Sequence, residues 1–516
     1  MVYLIVNFFQ EVNKMKKILC LVLAFMLLFS CVGTAFATEN GKHLPQIYVN
    51  GIGSRAIYEV GDPDKTSLFY PVNTEALMDG FANITEYAEE AIKKNNPDIL
   101  TDVIYSIMWD TMGKSALMPD GKTNMFDVTY DPCTVEHVGD QKYVFSYDSR
   151  LDPVDLADEL YAFITEVKRI TGSERYELVS SSHGASIAAA FMQKYRDEWD
   201  NIDSVLYCVP SLPGIDFVGE LFSGTFNFDP DVLTGFVDDM LGNEDVNLIL
   251  SVLNKTGALD KLLEYGLEPV AQVALLRAVN KIIHDIFGTF PSMWTYVQDE
   301  YFYKALEWIY GEDYASPDHS HAGLIEKITY YHEEVMVKAP EMMLEAQKSG
   351  IHMSIIAKYG FAAKPLSASG NVLSDNLMDL EDVTYGATCS MRDETLPADY
   401  TQKLYPEYNM ISADRCVDAS TSLLPFNTWI IKGFYHEENN SAYWQMVNDI
   451  VYNNLDINSD ARYPQFMQKS ATDAEALVPF TEAEEKKETT LLQDFIRLLT
   501  RFIEIVTEKL KEFFAQ

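Results

Sequence analysis

Hydrophobic residues between positions 44 and 210 follow two different periods along the chain. Short apolar runs predict β-strands at 44–54, 142–148, 176–181 and 204–210. Apolar residues spaced three and four positions apart predict helices at 74–95, 153–170 and 184–196. Asp152 and Pro153 are typical of a helix start and open the second of these helices. Strands that alternate with helices of this length indicate βαβ units and a parallel sheet.

The alternation gives way to a long helical stretch in the middle of the chain. Residues 225–350 have a helical pattern almost throughout, and strand patterns return at 352–361 and 428–436. Two strands cannot form a stable sheet on their own, so we expect them to complete the first sheet. The sequence therefore predicts an α/β core, 38–224 and 351–475, with the helical stretch inserted as a cap. A separate helical domain between two α/β domains is the alternative.

The first 37 residues have the pattern of a secretory signal peptide. Two lysines precede an apolar run that ends at Ala35-Phe36-Ala37, a small-residue cleavage site, and Met15 is the expected true start. The run is short for a membrane span, so a retained anchor is the weaker interpretation, as is lipid attachment at Cys31. We therefore expect residues 1–37 to be removed and the mature protein to be secreted.

The C-terminal segment 476–516 has a pattern of its own. A charged linker leads into residues 491–514, whose apolar positions share one helical face with charges of both signs opposite. This pattern predicts an amphipathic helix. Because its polar face is not basic, packing on its own domain or on a partner helix is favoured over peripheral contact with a membrane.

Composition limits the partners of the protein. The chain has 516 residues, of which 47% are hydrophobic and 23% charged, and its formal net charge is −39 at pH 7. These proportions are ordinary for a globular protein that buries a large core. The strong negative charge disfavours nucleic acid and anionic membrane surfaces as electrostatic partners.

The cysteines and histidines give little sign of a metal or cofactor site. Signal cleavage would leave Cys133, Cys208, Cys389 and Cys416 in a compartment that permits disulfides, and the last two are the pair that could be bridged. The sequence has no cysteine or histidine spacing typical of zinc and no dinucleotide-binding loop. We therefore expect neither a metal nor a cofactor.

Residues 180–184, with the sequence SSSHG, lie where a predicted strand turns into a predicted helix. A serine at such a sharp turn projects its hydroxyl clear of the sheet, and the helix N-terminus supplies N–H groups for an oxyanion. The frame is a degenerate G-x-S-x-G in which Ser180 replaces the first glycine and Gly184 keeps the second. This pattern predicts a nucleophile at Ser182, and a chance serine-rich turn is the alternative.

A serine nucleophile needs a base and an acid. His436 closes the strand pattern 428–436, which we expect to be the last strand of the sheet, and is the predicted base. Asp375 follows the preceding strand and is the favoured acid. Its competitors, nearer to the histidine in sequence, are Asp414 and Asp418, of which Asp418 is the first alternative. The chain order serine, aspartate, histidine is the one found on α/β-hydrolase sheets.

Three motifs, NGIGSRAI at 50–57, FSYDSRLDP at 145–153 and LVSSSHGAS at 178–186, occur in this order along the chain. They resemble the P-G-I-x-x-S-x-L, Y-D-W-R-x-x-P and L-V-x-H-S-M-G-G segments of lecithin:cholesterol acyltransferase-like lipases, which belong to the α/β-hydrolase superfamily. The resemblance covers about residues 44–224, and it extends to 351–440 only in layout.

The resemblance implies an α/β-hydrolase fold, a mostly parallel sheet flanked by helices, with Ser182 as nucleophile. It further implies an oxyanion hole made by the backbone N–H groups of Ile52 and His183. The residues expected to support the site are Asn50, Gly51, Gly184, Asp148 and Arg150.

The expected activity is that of a secreted esterase or lipase that cleaves a small-molecule or lipid-like carboxylic ester through an acyl-enzyme. Two alternatives stay open at this point. One is an acyltransferase of the same fold, and the other is a catalytically inactive hydrolase fold that serves as a binding or surface protein.

Overall fold

A computed structural model of the protein describes residues 43–482 except for 71–76, 78–79, 81–83, 139–141, 227–268, 362–371, 393, 471 and 474. The predicted signal peptide, most of the first third of the predicted cap and the predicted amphipathic helix lie outside the described residues. Within the described part, no helix is both long and apolar enough to cross a bilayer.

One sheet of eight strands forms the centre of the described structure. Its strands in chain order are β1 Gln46–Val49, β2 Lys142–Phe145, β3 Tyr176–Ser181, β4 Ile202–Cys208, β5 His352–Tyr359, β6 Thr428–Lys432, β7 Phe466–Lys469 and β8 Leu477–Pro479. Across the sheet the order is β8-β7-β6-β5-β4-β3-β1-β2. All neighbours pair in parallel except β7 and β8, which are antiparallel. The predicted mostly parallel sheet is confirmed.

Helices flank this sheet on both faces. They are α1 Ile84–Lys94, α2 Asp98–Met112, α3 Pro153–Thr171, α4 Gly184–Lys194, α5 Asp216–Ser223, α6 Pro269–Asp285, α7 Pro291–Trp294, α8 Asp299–Tyr310, α9 Ala322–Tyr331, α10 Ala339–Ser349, α11 Leu380–Val383 and α12 Ser441–Asn453. As predicted, Asp152 is the N-cap of α3, since its Oδ1 accepts the N–H of Val154 at 3.0 Å and Pro153 occupies the first turn.

The sequence interpretation of 428–436 as the last strand is wrong, because β7 and β8 extend the sheet beyond β6. These strands have four and three residues, too few for a period-two pattern to stand out. Two short antiparallel ribbons were also not predicted: Ile57–Glu59 with Val128–Tyr130, and Thr388–Cys389 with Val417–Asp418. Cys389 and Cys416, the pair considered for a disulfide, are free thiols.

The two faces of the sheet contribute to two hydrophobic clusters. Ile47, Leu178 and Val205 belong to the larger cluster, which includes α3, α4 and the helices α6 to α10. Their strand neighbours Tyr48 and Val179 belong to the smaller cluster, which packs around α12. This period-two alternation buries both sides of the sheet. The helices between β4 and β5 thus share a core with the sheet, and their division into cap and core stays a prediction.

Candidate active site

Ser182 occupies the turn between β3 and α4 with a strained backbone. Its φ is 51°, in the left-handed region that few non-glycine residues adopt. Its N–H donates to the carbonyl of Cys208 at 3.0 Å, and its own carbonyl accepts the N–H of Ala185 at 3.0 Å. These bonds hold the strained turn in place, and strain of this kind is concentrated at functional sites.

Gly184 lies where this turn meets the loop after β1. A Cβ at this glycine would overlap the carbonyl oxygens of Val49 and Asn50. Only glycine therefore allows the loop to cross the N-terminus of α4 so closely. The contact brings the backbone that precedes Ile52 against the helix end that carries the N–H of His183.

Ser182, His436 and Asp375 form a continuous hydrogen-bonded chain. His436 Nε2 lies 2.9 Å from Ser182 Oγ, and its Nδ1 lies 2.8 Å from Asp375 Oδ2. The backbone N–H of His436 also donates to the carbonyl of Asp375 at 2.9 Å. The three residues come from three separate loops at the carboxyl ends of β3, β5 and β6. The structure thus brings together the three side chains that the sequence proposed.

The carboxylate of Asp375 is held from behind by backbone. Its Oδ1 accepts the N–H groups of Leu377 at 3.0 Å and Met378 at 2.7 Å, which leaves Oδ2 to face the imidazole. A carboxylate at Nδ1 favours the tautomer in which Nδ1 carries the proton, so that Nε2 can accept a proton from Ser182. The arrangement can therefore turn a weak nucleophile into an alkoxide equivalent.

Asp418, the alternative acid, does not contact His436. Its Oδ2 accepts the hydroxyl of Tyr400 at 2.7 Å and the N–H of Lys403 at 3.0 Å, and its Oδ1 accepts the N–H of Ser420. The sequence distance to His436 was misleading here, because Asp418 belongs to a ribbon and caps a turn.

The loop Asn50–Gly53 is held by side chains of the 145–153 segment. The Tyr147 hydroxyl donates to the carbonyl of Asn50 at 2.7 Å, and Ser149 Oγ accepts the N–H of Gly53 at 2.8 Å. Asn50 Oδ1 accepts the N–H of Gly51 at 2.9 Å. Sequence reasoning did not assign Tyr147 or Ser149 a role, although both lie in a motif that carried the family resemblance.

Asp148 and Arg150 form a buried ion pair beneath this loop. Arg150 Nη2 lies 2.7 Å from Asp148 Oδ2, and its Nε lies 3.0 Å from Oδ1. Arg150 also donates to the carbonyl of Ser115 at 2.6 Å and to Asn124 Oδ1 at 2.8 Å. These last two bonds tie the 145–153 segment to the region 115–124, whereas the bidentate pair holds the segment itself in shape. This is a supporting role and not direct contact with the triad.

The side chain of His183 is buried and neutral. Desolvation lowers the pKa of its imidazole to about 3, and its ring lies 5.3 Å from that of Tyr296. Neither ring nitrogen has a hydrogen-bond partner among the described residues. With its pKa lowered so far, this imidazole is a weak proton acceptor, so the part expected of His183 in the site is that of its backbone N–H.

One group of three carboxylates among the described residues has a spacing that suits a cation. Ligand atoms of Asp216, Asp379 and Asp382 lie within 4.8 Å of one another. Gln298 Nε2 donates to Asp382 at 2.7 Å. Burial and the neighbouring Asp216 raise the pKa of Asp379 and bring that of Asp382 to about 7, so protons can balance the crowded charge. The sequence pattern gave no signal for this group.

No protein-family model matches the chain, and neither does any curated protein. The geometry of the site therefore carries the functional argument.

Proposed function

We propose that the protein is a secreted serine hydrolase of the α/β-hydrolase fold that cleaves carboxylic esters through an acyl-enzyme on Ser182. The observation that carries the proposal is the chain of hydrogen bonds from Ser182 Oγ through His436 to Asp375. Chance would not be expected to align three buried groups from three loops with the serine in a strained turn.

The reaction follows from these contacts. His436 Nε2 takes the Ser182 proton as Oγ attacks the ester carbonyl, and Asp375 stabilises the imidazolium that forms. Collapse of the tetrahedral intermediate breaks the ester C–O bond, and the imidazolium returns its proton to the leaving alcohol. Water activated by His436 then attacks the acyl-enzyme, which releases the carboxylic acid and restores the serine.

The oxyanion of the intermediate would be bound by the backbone N–H groups of Ile52 and His183. The close passage of the first loop over Gly184 supports this assignment, because it brings both segments to one end of α4. Removing one such donor costs about 10²–10³-fold in kcat in enzymes of this kind.

Acyl transfer is a second candidate, because an alcohol can attack the same acyl-enzyme in place of water. Ser182 exposes 9% of its surface, His436 4% and Asp375 none, and this burial restricts both acceptors and does not decide between them. The substrate proposed in either case is a small-molecule or lipid-like ester.

The first experiment treats the purified protein with a fluorophosphonate probe and maps the adduct by peptide mass spectrometry. We expect one adduct, on Ser182, and none in Ser182→Ala. Ser181→Ala is the matched control, since it removes a neighbouring hydroxyl and should leave labelling unchanged.

Product analysis separates the candidates. Release of free acid from p-nitrophenyl esters in the presence of an added alcohol supports hydrolysis, whereas a new ester supports transfer. A folded wild type that neither reacts with the probe nor turns over esters would refute the enzyme and favour a binding protein built on this fold.

A further inference from the structure

Lys358 is a buried lysine in the middle of the sheet. It lies in β5 after Ile355, Ile356 and Ala357, and only 1% of its surface is exposed. Desolvation lowers the pKa of its ammonium group to about 8. Burial of a cation is costly, so the structure must compensate this one with polar contacts.

The contacts all lead to the loop that carries His436. Lys358 Nζ lies 3.2 Å from the carbonyl oxygen of Tyr435, 3.0 Å from that of His436 and 2.7 Å from that of Glu438. It also lies 3.0 Å from Oδ1 of Asn439. An ammonium group has three protons to donate, so four acceptors at these distances use its full capacity.

We propose that Lys358 is a positioning residue for the reaction, which fixes His436 by holding the backbone on both sides of it. The inference rests on the proposed function. His436 is thereby held at both of its backbone polar groups, since its N–H donates to the carbonyl of Asp375 and its carbonyl accepts from Lys358. With its backbone held at both ends, the imidazole is kept between the serine and the acid.

The ammonium group of Lys358 also has an aromatic neighbour. The ring of Tyr443, whose centroid lies 4.7 Å from Nζ, encloses the ammonium from the side of α12.

A second buried lysine provides a matched control. Lys142 in β2 is 7% exposed, and desolvation lowers its pKa to about 8 as well. Its ammonium lies over the rings of Tyr48 and Trp444, at 4.8 and 4.4 Å from their centroids. Four strands of the sheet separate β2 from β6, the strand that leads to His436: they are β5, β4, β3 and β1. Lys142→Met therefore reports the cost of losing a buried lysine far from the triad.

The test compares Lys358→Met, Lys358→Arg and Lys142→Met in ester hydrolysis, with active sites counted by fluorophosphonate labelling at long times. We expect Lys358→Met to lower kcat per active site about 10²-fold, the effect of a displacement of about 1 Å, with KM nearly unchanged. Lys358→Arg keeps the charge and donors and should be intermediate. Lys142→Met should lower the melting temperature but keep kcat.

Two results would overturn the proposal: wild-type kcat in Lys358→Met, or an equal fall in Lys142→Met. If Lys358→Met does not fold, Lys358→Arg provides the test, because the longer guanidinium side chain must displace the loop that carries His436. A lower kcat at constant KM in this variant supports the proposal, and an unchanged kcat refutes it. Failure of the underlying function looks different, since wild type itself would then carry no adduct on Ser182.

Discussion

Replacing Asp375 by asparagine tests the triad without changing its shape. Oδ1 of Asp375 accepts two backbone N–H groups, at 3.0 and 2.7 Å, and only an oxygen can take that place. The side-chain amide of the Asp375→Asn variant must therefore point its NH2 at His436 Nδ1, 2.8 Å from the carboxylate in the wild type. An NH2 group donates, so Nδ1 becomes an acceptor and the imidazole proton moves to Nε2.

A proton on Nε2 prevents His436 from accepting the proton of Ser182. The loss expected for such a tautomer change is about 10⁴-fold in kcat, or about 5 kcal/mol in transition-state stabilisation. Folding should be much less affected, because the two backbone hydrogen bonds are kept and each is worth about 1 kcal/mol. We therefore expect an inactive protein with a nearly normal melting temperature.

The assay measures kcat and KM on a p-nitrophenyl ester together with thermal unfolding. Asp418→Asn is the matched control, because Asp418 is equally buried and accepts three hydrogen bonds that do not involve His436. It should cost about 1–3 kcal/mol of stability and leave kcat close to that of the wild type. Either of two results would refute the assignment of the acid. One is a kcat of Asp375→Asn within tenfold of wild type, and the other is a kcat of Asp418→Asn as low as that expected for Asp375→Asn.

Two further predictions concern positions whose environment is unusual. Gly184→Ala places a Cβ against two backbone carbonyls, so it should lower the free energy of unfolding by about 1–3 kcal/mol and kcat about 10²-fold. Gly323→Ala is the control, because a Cβ there meets nothing within 4 Å, and urea unfolding should show it to be neutral or stabilising. Burial raises the pKa of the Glu177 carboxyl in the folded protein to about 9, from its ordinary value of 4.5. The contribution of this group to stability is therefore full below the pKa of the unfolded state and is lost as pH rises through the pKa of the folded state. Glu177→Gln should therefore gain stability relative to wild type between about pH 5 and about pH 9, and parallel pH profiles for the two proteins would contradict this reasoning.

Local patterns predicted much of the α/β architecture. Strands β1 to β6 and helices α3 and α4 follow from apolar periodicity, because each buries one face or both against neighbours and therefore repeats with the period of its own geometry. Most of the elements that were missed are short, although helix α2, Asp98–Met112, was missed as well. β7 and β8, with four and three residues, owe their conformation to pairing with the sheet edge and not to their own sequence.

The three residues of the candidate site differ in how far the sequence alone could identify them. Ser182 could be found locally, since a strand, a turn of small residues and a helix are all encoded within residues 176–194. His436 and Asp375 could be proposed only from their order after later strands. The choice of acid needed the fold, because 61 positions separate Asp375 from His436 and only 18 separate Asp418 from it.

The sequence by itself therefore predicted most of the elements and Ser182 as the candidate nucleophile, which depend on contacts between near neighbours. The tertiary structure decided which distant groups complete the site: Asp375 as the partner of His436, Tyr147 and Ser149 as supports of the Asn50–Gly53 loop, and Lys358 beneath the histidine. The physical reason is that hydrogen bonds act over about 3 Å, and only the packing of the sheet brings these groups so close.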